Sequence, residues 1–412
     1  MGGGWLLPSS LRGKLILAAI ISATYIVGVT LYTPGAYQHF VHSTSSEILQ
    51  TTPDAVVAPR VLLVTSWFPV QNPRFTDEEY AQWLPNFFAS NKNDIVLYTT
   101  PEYEQKFRSM RGNNLTLIID TRFASPFHIP PLVGKQDSYE IILKQDRSRS
   151  KASIDLYANR HAKPFFLYDA IARLGDSGNK YDFAFWSDAG SFREENVYTE
   201  WPSPTRLQEI WEETGNFSKT PKEDLIFIPS SRGPHPSMKF WTEAMGPIDN
   251  DISIASFFGG TPNAVDWFTR TYYTYHDHYL SLNIFIGKNQ ALINSLLFLF
   301  PDRFITVWAK QPDSAHNGQL AHPRPTGECG ANVRFYYEFW LARSDERKAM
   351  MDLWIRKASA WTWWGWWNRI DTRPCVVKEV LSIETVLRSR LGTEWNPPTR
   401  IVEIMEKVTL DT

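Results

Sequence analysis

Asp188 stands in a tight acidic turn, Ser187-Asp188-Ala189-Gly190, at the end of an apolar run from Asp182 to Trp186. An apolar run closing on an acidic, Gly-containing turn is how α/β folds set a carboxylate at the carboxyl end of a buried strand, where they bind ligands. There Asp188 could meet a metal–diphosphate or a sugar hydroxyl, and the small Ala189 and Gly190 leave room for close approach. An Asp that closes its own turn through backbone hydrogen bonds is the other use of this residue type. Competing chemistries lack their residues: the chain has no G-x-S-x-G elbow and no H-E-x-x-H pair. Glu194 and Glu195 are near Asp188 in sequence, but that spacing sets up no facing pair of carboxylates. His276 and His278 are two apart, so a helix puts them on different faces, which fits surface residues better than a shared metal.

The elements that must position Asp188 can be read along the chain. Arg60–Trp67 is a first buried strand, and Thr76 with Glu79 is a capping box opening a helix over Tyr80, Trp83, Leu84, Phe87 and Phe88, with Pro85 inside it. Ile95–Thr99 and Leu115–Asp120 are further strands. After a polar stretch with a charge run at 145–151, Pro164 starts a helix through Phe166 and Ala170 that leads into the central strand. Leu225–Pro229 and Ile252–Thr261 read as strands, the latter ending on Gly259 and Gly260. Helices follow at Ala264–Leu280 and, headed by Asn289, at Gln290–Phe300; a late strand spans Arg303–Val307. Val376–Arg390 and Ile401–Val408 read as closing amphipathic helices. Strands alternating with helices predict an α/β fold with a mostly parallel sheet covered by helices.

A chain of 412 residues has room for a large core, and a net charge of −2 gives no field that favours nucleic acid. Aromatic residues make up 14% of it, with 17 Trp. The dense group at Trp361, Trp363, Trp364, Trp366 and Trp367 fits a sugar platform, a membrane-facing patch or a packed cover over the sheet. Leu15–Thr33 is apolar and uncharged after Arg12 and Lys14, and about 20 such residues span a bilayer. The basic pair predicts a cytosolic segment at 1–14, a signal anchor at 15–33 (a cleaved signal peptide being the rival reading), a polar stem at 34–58 and a lumenal domain at 59–412, aromatic-rich from about 310. Asn114 and Asn216 head N-x-[ST] triplets that agree with lumenal exposure, and Cys329 could pair with Cys375 there.

With these pieces in order, the chain resembles the HtrL/YibB family of glycosyltransferase-like domains, from about residue 60 to 307 and more loosely into the aromatic tail. The landmarks are VLLVTSWF from Val61, NRHAKPFFLYDAI (159–171), YDFAFWSDAGSFR (181–193), SFFGGTPNAV (256–265) and FIGKNQALIN (285–294). FFGG before a helix also resembles the blood-group type of retaining glycosyltransferase. The resemblance implies a GT-A-like, Rossmann-like sheet holding a nucleotide-sugar donor near the acidic turn, and transfer to a glycan or glycoconjugate acceptor, with the Golgi as the expected site. It makes Asp188 the ligand for Mn²⁺ or Mg²⁺, which stabilises the leaving diphosphate. Asn159, Lys163 and Arg193 become donor contacts, although the two cations also fit plain surface charge. Gly259 and Gly260 would bring backbone amides to the substrate, or form a turn with positive φ. Asn289 and Gln290 occupy the position of a catalytic or acceptor-orienting group. Two departures stand out: Gly190 replaces the second acid of the usual Asp-x-Asp, and Asn289 replaces an Asp, so it cannot take a proton. They motivate the rival expectation of a catalytically impaired, lectin-like or scaffold protein on the same fold.

Overall fold

The computed structural model describes residues 58–70, 73, 75–309, 336–361 and 379–406. The expected membrane anchor, nearly all of the stem, Cys329, Cys375 and residues 363–367 of the Trp cluster lie outside them. The chain divides into Met1–Val56 and Val57–Thr412, and the fold below is that of the second unit. Among the described residues, no helix is long and apolar enough to cross a membrane.

Eight strands make one sheet: β1 Val61–Trp67, β2 Asp94–Thr99, β3 Leu117–Asp120, β4 Phe183–Ser187, β5 Ile226–Phe227, β6 Phe257–Gly260, β7 Phe304–Thr306 and β8 Leu381–Ser382. Their spatial order is β3-β2-β1-β4-β6-β5-β7-β8. β1 pairs in parallel with both β2 and β4, β2 with β3, and β5 with β7. β6 runs antiparallel between β4 and β5, and β8 runs antiparallel on β7. The fold is thus α/β with a mostly parallel sheet and flanking helices, as the strand–helix alternation predicts.

The helices are α1 Asp77–Phe88, α2 Pro101–Arg111, α3 Gln136–Leu143, α4 Ile154–His161, α5 Lys163–Asp176, α6 Pro204–Thr214, α7 Pro262–Ser281, α8 Asn289–Leu299, α9 Tyr336–Trp340, α10 Ser344–Trp361 and α11 Ile383–Leu391. The capping box of α1 forms: Thr76 Oγ1 accepts from the Glu79 N–H, and the Glu79 carboxylate accepts from the Thr76 N–H. Thr261 caps α7 through the Ala264 N–H.

Strand periodicity sorts side chains between two cores, one on each face of the sheet. Leu62, Val64, Ala184 and Trp186 point into one core, with Phe166 and Ala170 of α5, Phe268 of α7 and Leu296 of α8. Val61, Leu63, Phe183 and Phe185 point into the other, with Phe87 of α1, Phe107 of α2, Ile210 of α6 and Trp340 of α9. Buried on both faces, the central strands are fixed in register, because a slip of one residue would exchange the two sets. The aromatic stretch at 336–340 is packed cover: Tyr336, Tyr337, Phe339 and Trp340 are all buried.

Two expectations are corrected here. His276 is not a surface residue; it is fully buried, because α7 is covered around most of its circumference from Ala264 to Leu280. Residues 401–406 form no helix. The Ile401 and Val402 N–H groups donate to the Glu243 carboxylate and the Met405 N–H to Thr274 Oγ1, so side chains take the donors that a helix would use.

Candidate functional site

β1 is followed along the chain by β2 on one side, while β4 joins it on the other. The carboxyl ends of β1 and β4 therefore flank a topological switch point, the place where open α/β sheets form a crevice. The five residues of β4 are all buried, and the chain emerges from Ser187 into the acidic turn. The Asp188 N–H donates to the Ser256 carbonyl at 2.8 Å, and the Ser191 N–H donates to the Asp188 carbonyl at 3.0 Å. The turn is thereby tied to the segment that enters β6.

The side chain of Asp188 is 37% exposed, and its Oδ1 carries two donors. Lys163 Nζ lies 2.6 Å away and the Trp186 indole N–H donates at 2.6 Å. Lys163 opens α5 and is nearly buried, with its ammonium also donating to the Ala255 carbonyl at 3.3 Å. An ammonium has three N–H bonds, so one remains to offer a ligand. No hydrogen bond to Asp188 Oδ2 occurs among the described residues, and the side chain is partly exposed. The site thus pairs a held cation with a half-open carboxylate, suited to oxygen-rich ligands.

A strap from Ser253 to Ser256 gathers the remaining polar groups. Gln290 Nε2 donates to the Ser253 carbonyl, and Asn294 Oδ1 accepts from both the N–H and the hydroxyl of Ser253. Lys163, Asp188 and Gln290 therefore all bond to one four-residue segment. Asn289, at the start of α8, is 6% exposed, and its Nδ2 is buried with no partner among the described residues. The loop leading into it is held by α4, through His161 Nε2 on the Ile286 carbonyl and Arg160 Nη1 on the Gly287 carbonyl.

Four other expected site residues have contacts elsewhere than on the Asp188 side chain. Asn159 spends its amide inside α4, donating to the Asp155 carbonyl. Arg193 stacks between Phe75 and Trp83, 4.4 and 4.7 Å from their centroids, which is a cation–π arrangement. Gly259 and Gly260 are buried mid-sheet, paired with Phe185 and Ala184, and their φ angles are not positive. They are neither a substrate-facing loop nor a positive-φ turn; their reason is close contact between strands.

Tyr337, beside the strap, and the residue that follows it were not legible in these roles. Tyr337 stacks on Phe257 with its hydroxyl 3.5 Å from Ser256 Oγ, and burial pushes it well above the usual phenol range. Next to it, Glu338 keeps Oε1 buried without a hydrogen-bond partner among the described residues. Burial, and then the neighbouring Glu194, raise this carboxyl well above its ordinary range toward the protonated form. Both lie about 150 residues beyond Asp188 in an aromatic stretch, where no local spacing relates them to it.

Among the described residues, the donor set at Asp188 does not fit a divalent cation. Such a cation needs several oxygen ligands, and Asp188 offers one free oxygen beside an ammonium that already neutralises it. No group of three or more His, Cys, Asp or Glu that could hold a metal occurs among the described residues. Gly190 has a steric reason as well: a Cβ there would lie 3.0 Å from Tyr80 Cε1. Tyr80 is braced edge-on by Trp67 and Trp83. Restoring the second acid by Gly190→Asp should therefore cost about 1–3 kcal/mol of stability through overpacking. It should also give no gain in Mn²⁺ affinity. A lowered urea midpoint with unchanged manganese binding is the expected pair of results.

No protein-family model matches the chain, and no curated protein sequence matches it. Among solved structures it is similar to core-mannan synthase A from Aspergillus fumigatus in its Mn/GDP form, at 11% identity and a TM-score of 0.36, covering 68% of this chain and 80% of that one. It is also similar to the mannosyltransferase Ktr4p from S. cerevisiae in complex with GDP, at 9% identity and a TM-score of 0.27, covering half of each chain. A second Ktr4p structure gives 8% identity and a TM-score of 0.27, over 50% of this chain and 49% of that one.

Proposed function

We propose that the chain is a glycosyltransferase on a GT-A-like fold, moving a sugar from a nucleotide-sugar donor to a hydroxyl of a glycan or glycoconjugate. The observation that carries this reading is the Lys163–Asp188 pair at the switch point, on a strap shared with Gln290. In the reaction the anomeric C–O bond to the diphosphate breaks, its electron pair staying on the diphosphate oxygen. A new C–O bond forms to the acceptor oxygen, whose proton is released. Only groups that meet the developing diphosphate charge and orient the sugar accelerate such a step. A held ammonium and a half-open carboxylate are residues of those two kinds; the HtrL/YibB resemblance implies a donor contact for Lys163 as well, but a metal ligand for Asp188. The proposal includes a type II membrane topology, supported by the apolar run at 15–33 and the basic pair before it, with 59–412 lumenal and the Golgi as the compartment. Asn114 and Asn216 are both exposed, as glycan acceptors must be.

The second reading is a lectin-like protein on the same fold, and the neutral Asn289 favours it: an amide orients hydroxyls but takes no proton. A titration of the full-length chain in detergent with a panel of nucleotide sugars separates the two. The transferase reading expects one donor to bind more tightly than its own nucleoside diphosphate. Asp188→Asn should shrink that preference about tenfold, since a hydroxyl–carboxylate bond is a charge-assisted one. Failure of a folded chain to bind any nucleotide or nucleotide sugar, with glycan binding intact, would leave the lectin-like reading standing.

A further inference from the structure

Resting on the donor-site reading above, we propose that Lys163, and not a divalent cation, meets the donor's diphosphate in this protein. Asp188 is the anchor of that ammonium through Oδ1 and the sugar's hydrogen-bond acceptor through Oδ2. Four observations on different elements carry it. Lys163 is only 9% exposed, yet it is held by just two acceptors, Asp188 Oδ1 at 2.6 Å and the Ala255 carbonyl at 3.3 Å. Its third N–H has no partner among the described residues, and an ammonium this buried gains most from a further anionic acceptor. The Trp186 indole pins the same Oδ1 at 2.6 Å, and its ring faces the ammonium with Nζ 5.7 Å from a ring centroid. The carboxylate is therefore fixed in orientation before any ligand arrives. Finally, the position where a second metal-ligating acid would stand is crowded by Tyr80, whose Cε1 lies 3.0 Å from a Cβ built on Gly190.

The electrostatics point the same way. A dication on Oδ2 would sit within a few ångströms of a buried ammonium, and like charges that close repel at the dielectric of a protein surface. A diphosphate meets the opposite situation, since Lys163 attracts it and Asp188 is already paired. The protein itself thus supplies the positive charge on which the leaving diphosphate depends.

Calorimetric titration of the full-length chain in detergent with GDP and with UDP, in EDTA and then in Mn²⁺, tests this. The better-bound diphosphate should show affinities within about threefold in the two buffers, and the manganese electron-spin resonance of a protein–nucleotide mixture should match that of nucleotide alone. In EDTA, Lys163→Gln should weaken binding about tenfold to a hundredfold, the span of a hydrogen bond to a charged group. Asp188→Asn, which keeps the shape and removes a negative charge, should keep diphosphate affinity or raise it while losing the preference for the sugar-bearing donor. Binding that disappears in EDTA, returns with Mn²⁺ and is lost in Asp188→Asn would overturn the inference and leave the donor site in place. A folded wild-type chain that binds no nucleotide in either buffer would remove the donor-site reading itself, and this inference with it. The comparison of buffers needs no variant, so misfolding of Lys163→Gln would not leave the question open.

Discussion

Gly259→Ala is expected to abolish the folded chain. The added methyl would lie 2.1 Å from the Ala184 carbonyl oxygen and 2.7 Å from Phe185 Cα, both backbone atoms of the central strand β4. Backbone in the middle of a doubly covered sheet cannot move aside as a flexible side chain can. The loss should exceed about 4 kcal/mol, beyond the range of most single substitutions and a large part of a typical domain's stability. Gly175→Ala is the control: it lies near the end of α5 with nothing within 4 Å of the added methyl. There the change should be neutral or stabilising by up to about 1 kcal/mol, as for a helical glycine. Truncating the nearest ring by Phe185→Ala in the Gly259→Ala background should give no rescue, because the closest atoms are main chain. A cooperative unfolding transition near the wild-type midpoint for Gly259→Ala would show that the strands can separate at that level.

The same two glycines show what sequence could and could not deliver. Their presence after FF was visible and so was a strand there, but the direction of β6 was not, and direction decides the site. Because β6 is antiparallel to β4, Phe257 pairs with Ser187 beside the acidic turn while Gly260 pairs with Ala184 farther from it. A parallel strand would have brought the glycines to the ligand. Elements with strong local signals were legible: β1, the capping box of α1, the Pro164 start of α5, and α7 after Thr261. Helix α2 was not, since only Phe107 and Arg111 of its residues are buried and so thin a stripe leaves little periodicity to detect. Of the site, Asp188, Lys163 and Gln290 were singled out and are joined through one strap. The strap itself, Ser253 to Ser256, was not, because it acts through backbone carbonyls, which any residue type supplies. Trp186 was read as core and is core, but its indole N–H also orients Asp188, a role that only the turn geometry reveals.

Stability should fall steeply as pH drops below about 6.5, through His161 and His276. Both are fully buried, and their rings lie 5.0 Å apart. Each uses both nitrogens in the neutral form. His161 Nε2–H donates to the Ile286 carbonyl and Nδ1 accepts from Tyr272, while His276 Nδ1–H donates to Asp277 and Nε2 accepts from Tyr139. Burial lowers both pKa values from the ordinary 6.5, that of His161 well below it. The neighbouring His276 pushes His161 down further, while Asp277 partly offsets burial for His276. The sign follows from linkage: below 6.5 the unfolded chain binds protons that the folded chain refuses, so stability rises with pH there and is fully present above it. His161, held well below its ordinary range, contributes a slope approaching about 1.4 kcal/mol per pH unit below 6.5, and His276, where Asp277 partly offsets burial, adds a smaller slope of the same sign. Urea unfolding at steps from pH 7.5 to 5 measures it directly. His161→Gln, which keeps a donor for the Ile286 carbonyl and does not titrate, should remove the larger part of the slope. A midpoint that stays flat across this window would mean that both rings take up protons in the folded state as readily as in the unfolded chain. The location gives the effect a functional edge. His161 is two residues before Lys163 and holds the loop that leads into Asn289, so the region that acid loosens first borders the site on which the proposed donor depends.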